Sequence, residues 1–126
     1  MIPNKDIEQD IQAKASAAPR VTPADIENEI VSEHYFTAEE GVVGAYKLNG
    51  DVYVGTPPNT SNAAALQLLT FCVLVLRNGF TVTGESACAS PDNFDPEIGR
   101  KIARQNAVAK IWPLLGFRLR DQLSAT

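Results

Sequence analysis

Eight residues, Leu69-Thr70-Phe71-Cys72-Val73-Leu74-Val75-Leu76, and the Asn78-Gly79 pair after them constrain this chain more than any other stretch. Apolar, β-prone side chains fill both alternating sets of positions, so the run reads as a strand buried on both faces and central in its sheet. Asn-Gly supplies the residues that a tight hairpin turn demands, and Thr81-Val82-Thr83-Gly84-Glu85 then alternates polar with apolar, as a strand nearer an edge does. With a two-residue turn, Arg77 faces Phe80, Val75 faces Val82 and Val73 faces Gly84. One sheet face then carries Phe71, Val73, Val75, Phe80 and Val82. The other sets Cys72, Leu74 and Leu76 against Thr81, Thr83 and Glu85, and Leu74 and Leu76 require cover from a helix or a second subunit. In this register Cys72 lies opposite Glu85 and Cys88 opposite Leu69 on the other face, which argues against an intramolecular disulfide.

Helices are expected on either side of this hairpin. Thr22-Pro23-Ala24-Asp25 combines a capping hydroxyl, a proline at the first helical position and an acid in the first turn, predicting a helix over residues 23–33 with Ile26, Ile30 and Val31 as its apolar stripe. Asp95-Pro96-Glu97 repeats that logic and predicts a helix over residues 96–112. There Ile98, Ile102, Ala109 and Trp112 pack on the sheet, with Ala103, Ala107 and Ile111 widening the stripe. Pro113 ends or kinks this helix, and Leu115, Leu119 and Leu123 suggest that it resumes. Residues 42–54, with Asn49-Gly50 between Ala45-Tyr46 and Val52-Tyr53-Val54, fit a second small hairpin. The polar, proline-bearing residues 55–62 are expected to hold no regular element, and Glu39 and Glu40 to sit on a solvated loop. Together these predict an α+β fold: a small antiparallel sheet with a hairpin, packed by an N-terminal helix and a kinked C-terminal helix pair. Residues 1–21 are expected to be a flexible segment or short helix, and residues 22–126 a single α+β domain.

Composition narrows the function. With 126 residues, 44% hydrophobic and 21% charged, the chain has one core of ordinary soluble character. The net charge of -4 is unevenly spread: residues 1–51 hold ten acids and four bases, whereas residues 97–126 hold six bases and two acids. A negative whole argues against binding nucleic-acid polymers, while a basic C-terminal segment suits a local anion site or neutralisation of the acidic N-terminal half. The first residues lack a secretory signal, and the longest apolar stretch, residues 63–76, is too short to span a bilayer. A cytoplasmic protein is expected.

Enzyme signatures are sparse. His34 is the single histidine, and two cysteines without further ligands at the right spacing make no zinc site. Gly84-Glu85-Ser86-Ala87-Cys88 resembles a nucleophile elbow for three residues but lacks its final glycine. No phosphate loop or dinucleotide-binding glycine pattern is present. Neither a cofactor nor a metal is implied, and catalysis is not expected. The positive case is for anion or nucleotide binding. Arg100 and Arg104 lie one turn apart near a helix N-terminus, with Lys101 beside them, where guanidinium forks and backbone N–H groups suit a phosphate. Phe80, Phe94 and Tyr53 are candidates to stack a base, and Asn93 to read its edge. Asp95 weakens the helix-terminus site, because its carboxylate already occupies the positive end.

The block from Leu69 to Cys88, continued by Asn93-Phe94-Asp95, Ile98-Gly99-Arg100-Lys101-Ile102-Ala103 and Ile111-Trp112-Pro113-Leu114, resembles a widespread family of small bacteriophage and prophage proteins. The likeness extends over about residues 22–123, including the Thr22-Pro23 helix. Within it the chain is similar to the Thoeris anti-defence one sponges. That resemblance implies a protein acting in the infected host's cytoplasm, which sequesters cyclic ADP-ribose isomers made by TIR-domain immune enzymes, and in some cases cyclic oligonucleotides, without cleaving them. It also implies a homo-oligomer, a dimer or higher, with ligand pockets at subunit contacts. The alternative is a phage accessory or structural protein acting through protein contacts alone, by way of an exposed Leu74 and Leu76 face.

Overall fold

A computed structural model of the chain describes residues 5–14 and 18–125. Along the chain come α1 (Lys5–Ala13), α2 (Pro23–Glu29), β1 (Ile30–Thr37), α3 (Ala38–Leu48), α4 (Thr60–Gln67), β2 (Leu69–Leu76), β3 (Thr81–Ala87), a 3-10 turn at Pro91–Asn93 and α5 (Pro96–Ser124). The strands form one antiparallel sheet in the order β1-β2-β3, so the doubly apolar strand is central and the fold is α+β. Of the segment expected to be flexible, residues 1–4 and 15–17 lie outside the described residues. The helix over 5–13 is tied to the following chain by Arg20, whose guanidinium reaches Glu8 at 2.9 Å.

One residue of turn length decides which side chains share a face. Leu76 N–H donates to Phe80 O, and Gly79 N–H to Leu76 O, both at 2.8 Å. The connection is therefore three residues long, with Gly79 at φ +89 in the position where such loops need a left-handed residue. This corrects the two-residue turn: Val75 faces Thr81, Leu74 faces Val82 and Cys72 faces Gly84. Cys72, Leu74, Leu76, Val82 and Gly84 thus form one buried face, and Phe71, Val73 and Val75 lie with Thr81, Thr83 and Glu85 on the other. The apolar residues of β3 join those of β2 on a single side, which is what lets a helix seal the core.

That helix is α5, and it meets the sheet along Gly99, Ala103, Ala107, Ile111 and Leu115, a strict four-residue repeat in which every member is buried. Of the expected stripe, Ala103, Ala107 and Ile111 are buried and Trp112 packs against the core, whereas Ile98 and Ile102 are exposed. The reason lies across the contact. A Cβ on Gly84 would stand 2.1 Å from Ala103 O and 2.3 Å from Ala107 N, so the helix backbone rests directly on β3, and only small residues fit beneath it. Leu74 and Leu76 are buried beneath α5, which removes them as an exposed docking face. Pro113 sits inside one continuous helix rather than between a pair. It is exposed and replaces only a single N–H.

Other local expectations gave way to tertiary pairing. The helix over 23–33 stops at Glu29, because Ile30 onward pairs with β2 as strand β1, with a register irregularity between Ile30 and Ser32. Residues 38–48 form α3 in place of a hairpin. Thr37 and Glu40 make a reciprocal capping box, with Glu40 N–H donating to Thr37 Oγ1 at 3.1 Å and Thr37 N–H to Glu40 at 2.8 Å. Glu40 is thus a helix-start residue. Asn59 and Asn62 cap α4 in the same reciprocal way within the stretch expected to be irregular.

Candidate functional site

The ends of β1 and β2, the start of α3 and the first turns of α5 meet around a cleft of about 520 Å³. Phe36 and Phe94 supply its aromatic walls, Glu39, Glu40 and Gln67 one polar rim, and Arg100 the other. Each is placed by local chemistry. Phe36 precedes the Thr37 cap, and its ring packs at 5.6 Å from that of Phe71 on the open face of the sheet. Phe94 follows the 3-10 turn, where its N–H donates to Pro91 O at 3.2 Å. Arg100 rides on α5 one position past the buried Gly99 and so projects toward the β1 side. Gln67 Nε2 donates to Glu39 at 2.7 Å across the rim.

Beneath the cleft, Thr70 is 3% exposed. Its Oγ1 has no hydrogen-bond partner among the described residues, and Gly99 lets the helix approach it closely, since a Cβ there would stand 3.1 Å from that oxygen. A buried hydroxyl without a partner is costly in a structural role and valuable in a binding one. Arg100 has no ion pair among the described residues. A free guanidinium, two aromatic faces, a buried hydroxyl and carboxylates on the far rim make an environment for a planar, anionic, hydroxyl-bearing molecule. Among the described residues no three His, Cys, Asp or Glu side chains gather as a metal site.

The remaining predicted site residues separate. Arg104 shares Arg100's side of the helix as expected, but it is occupied: its Nε donates to Glu33 at 2.9 Å and its Nη2 to Glu27 at 2.8 Å. Those hydrogen bonds, the ones it donates to Glu33 foremost, raise its pKa, and Arg104 in turn lowers that of Glu33. Glu33 also accepts from the Tyr35 hydroxyl at 2.7 Å. This part of the basic segment neutralises the acidic N-terminal half. Lys101 is exposed on the outer face and pairs with Glu97 at 3.4 Å. Phe80 lies at the hairpin end, in a groove with Leu114 and Arg118 and away from the cleft. Tyr53 stacks on Tyr46 with centroids 4.3 Å apart. Asn93 lines a second, smaller groove on the other side of Phe94, with Cys88, Ile98 and Ile102. The α5 N-terminus is closed, since Asp95 accepts from the N–H groups of Glu97 and Ile98 at 2.9 and 3.3 Å.

Sequence reasoning missed Phe36, Glu39, Glu40, Gln67 and Thr70. The Thr37-Ala38-Glu39-Glu40 capping pattern was a signal for the α3 start and hence for this wall. Nothing local marked Phe36 or Thr70, whose roles come from pairing across the sheet.

The sequence model of the phage protein family named for N4 Gp49 and phage Sf6 gene 66 matches residues 21–123. The chain belongs to this family. No curated protein and no solved structure matches the chain. The span shared with the phage family holds the sheet, the cleft and all of α5 but its final residue, Ser124, and leaves α1 outside it. Among the described residues, no helix is long and apolar enough to cross a membrane.

Proposed function

We propose that this phage protein is an immune-evasion factor that binds and sequesters a cyclic nucleotide signal, a cyclic ADP-ribose isomer or a cyclic oligonucleotide, without cleaving it. The observation that carries the reading is Arg100, which among the described residues has no ion pair and shares with Phe94 a cleft whose floor holds the Thr70 hydroxyl, likewise without a partner there. Arg100 would take a phosphate, Phe94 or Phe36 would stack on a base, and Glu39 would accept from ribose hydroxyls or an exocyclic amine. The cleft volume falls in the range of small-molecule sites. The likeness of the sequence to the anti-defence sponges supports the same choice of ligand class, and with it action in the host cytoplasm as a homo-oligomer.

The test is direct. Purified protein is incubated with cyclic ADP-ribose isomers and cyclic di- and trinucleotides, freed of unbound material, heat-denatured, and the released species identified by mass. One nucleotide should be recovered intact and in stoichiometric amount. Arg100→Ala should lower its affinity on the order of a hundredfold, as loss of a charge-assisted contact does, with unchanged thermal stability. Chemically altered nucleotide accumulating with time would make the protein an enzyme, and recovery of nothing would leave protein contacts as its mode of action.

A further inference from the structure

Two side chains on the rim of the cleft hold each other in a fixed pattern of donors and acceptors. Gln67, the last residue of α4, donates from Nε2 to Oε2 of Glu39, in the first turn of α3, at 2.7 Å. An ionised carboxylate only accepts, so the Gln67 amide must turn its NH2 group toward Glu39, and its second N–H is left to donate elsewhere. Among the described residues Glu39 makes no ion pair, and its Oε1 accepts from no other group. Neither residue is committed to a helix start: Thr37 and Glu40 cap α3, and Asn59 and Asn62 cap α4. From Glu39 Oε1 through Oε2 to Gln67 Nε2, the rim therefore offers acceptor, acceptor, donor. Beside it lies an aromatic wall. The Phe36 ring rests on the same turns of α3, since a Cβ on Gly41 would stand 3.6 Å from two of its carbons, and it is 37% exposed. Stacking accepts any base and the Arg100 guanidinium any phosphate, so neither can choose between nucleotides. The choice falls to the groups that meet the edge of the base.

We propose that the Glu39–Gln67 pair makes the cleft selective for guanine. The pairing edge of guanine presents its N2 amine, N1–H and O6 in order, which is donor, donor, acceptor, and it complements the rim at all three places. Adenine and cytosine present an amine followed by a bare ring nitrogen. They satisfy Oε2 and the Gln67 N–H but leave Oε1 without a donor. Uracil sets a carbonyl oxygen against Oε1. Two of the three guanine contacts go to the charged carboxylate and are of the stronger kind. A site built around such donors rejects analogues that lack them, because its own acceptors are then stranded. This inference rests on the cleft reading under Proposed function and narrows the ligand there to a cyclic oligonucleotide that carries guanine.

The experiment is calorimetric titration of the full chain with GMP, IMP and AMP. These share a sugar and one phosphate and differ only at the base, so their ranking does not depend on a cyclic linkage. GMP should bind tightest, IMP, which lacks only the N2 amine, about tenfold more weakly, and AMP about a hundredfold more weakly. Cyclic di-GMP should likewise bind more tightly than cyclic di-AMP. Glu39→Gln keeps an oxygen for Gln67 but turns one acceptor into a donor. It should bring GMP down to the level of AMP, change AMP little, and leave the melting temperature where it was, because Glu40 caps α3. Arg100→Ala should weaken all three mononucleotides alike, which reports on the phosphate contact. Equal affinity for the three, a preference for adenine, or a preference for GMP that survives Glu39→Gln would overturn the guanine assignment and leave the cleft reading standing. Binding of no nucleotide, single or cyclic, would remove both.

Discussion

At the scale of single residues, the basic segment divides its work between neighbours one turn apart. Arg104 is spent on Glu27 and Glu33, and Arg100 is left for the cleft. Arg118 makes a third attachment, its Nη2 meeting Glu29 at 2.7 Å, with the carboxylate side chain 8% exposed. Hydrogen bonding from Arg118 holds the Glu29 carboxyl below its ordinary range, as Arg104 does for Glu33. A carboxyl whose folded pKa is depressed contributes stability that is complete above its unfolded value and lost as pH falls toward the folded one. Melting temperature should therefore decline between roughly pH 5 and pH 3, and Glu29→Gln should flatten that decline while lowering stability at neutral pH. An acid limb of the same steepness in the variant would remove Glu29 from this role. Gly84 is the other decisive residue. Gly84→Ala drives a methyl into the α5 backbone, and a loss of about 3 kcal/mol or failure to fold is expected in a denaturant titration.

At the scale of elements, what was legible followed from local chemistry, and what was hidden followed from pairing. The central strand, the hairpin and the proline-started helices could be read because Leu69–Leu76, Asn78-Gly79, Thr22-Pro23 and Asp95-Pro96 carry their own signals. β1 could not: Ile30 and Val31 continue the apolar spacing of α2, and only hydrogen bonding to β2 turns them into strand. The register slipped for a comparably small reason, since Asn-Gly serves both two- and three-residue loops. Half of the cleft was legible, through Phe94 and Arg100, and the half contributed by Phe36 and Thr70 depended on the undetected strand. The same weighing applies to Pro113, which local chemistry alone marks as the end or a kink of its helix. Core contacts through Ile111 and Leu115 on either side hold α5 together across it. Pro113→Ala should restore one backbone bond and raise stability by about 1–3 kcal/mol, seen as a higher melting temperature. No change would mean that the helix is already bent there to no cost.

At the scale of the whole molecule, the four-residue repeat of α5 sorts its functions by direction. Gly99, Ala103, Ala107, Ile111 and Leu115 face the core. Arg100 and Arg104 face β1 and the cleft, and Ile98, Ile102 and Asn106 face the free edge of β3. A helix about 43 Å long at 1.5 Å per residue thus reaches the cleft at one end and the hairpin tip at the other. The proposed ligand contact lies on the β1 side alone, so Arg100→Ala should leave the thermal melting curve where it was, because no core contact or ion pair among the described residues is lost. Such a layout has a consequence for descent. Each side of the rod can be rewritten by mutation without renegotiating the others, so long as the keel of small residues that rests on β3 is kept.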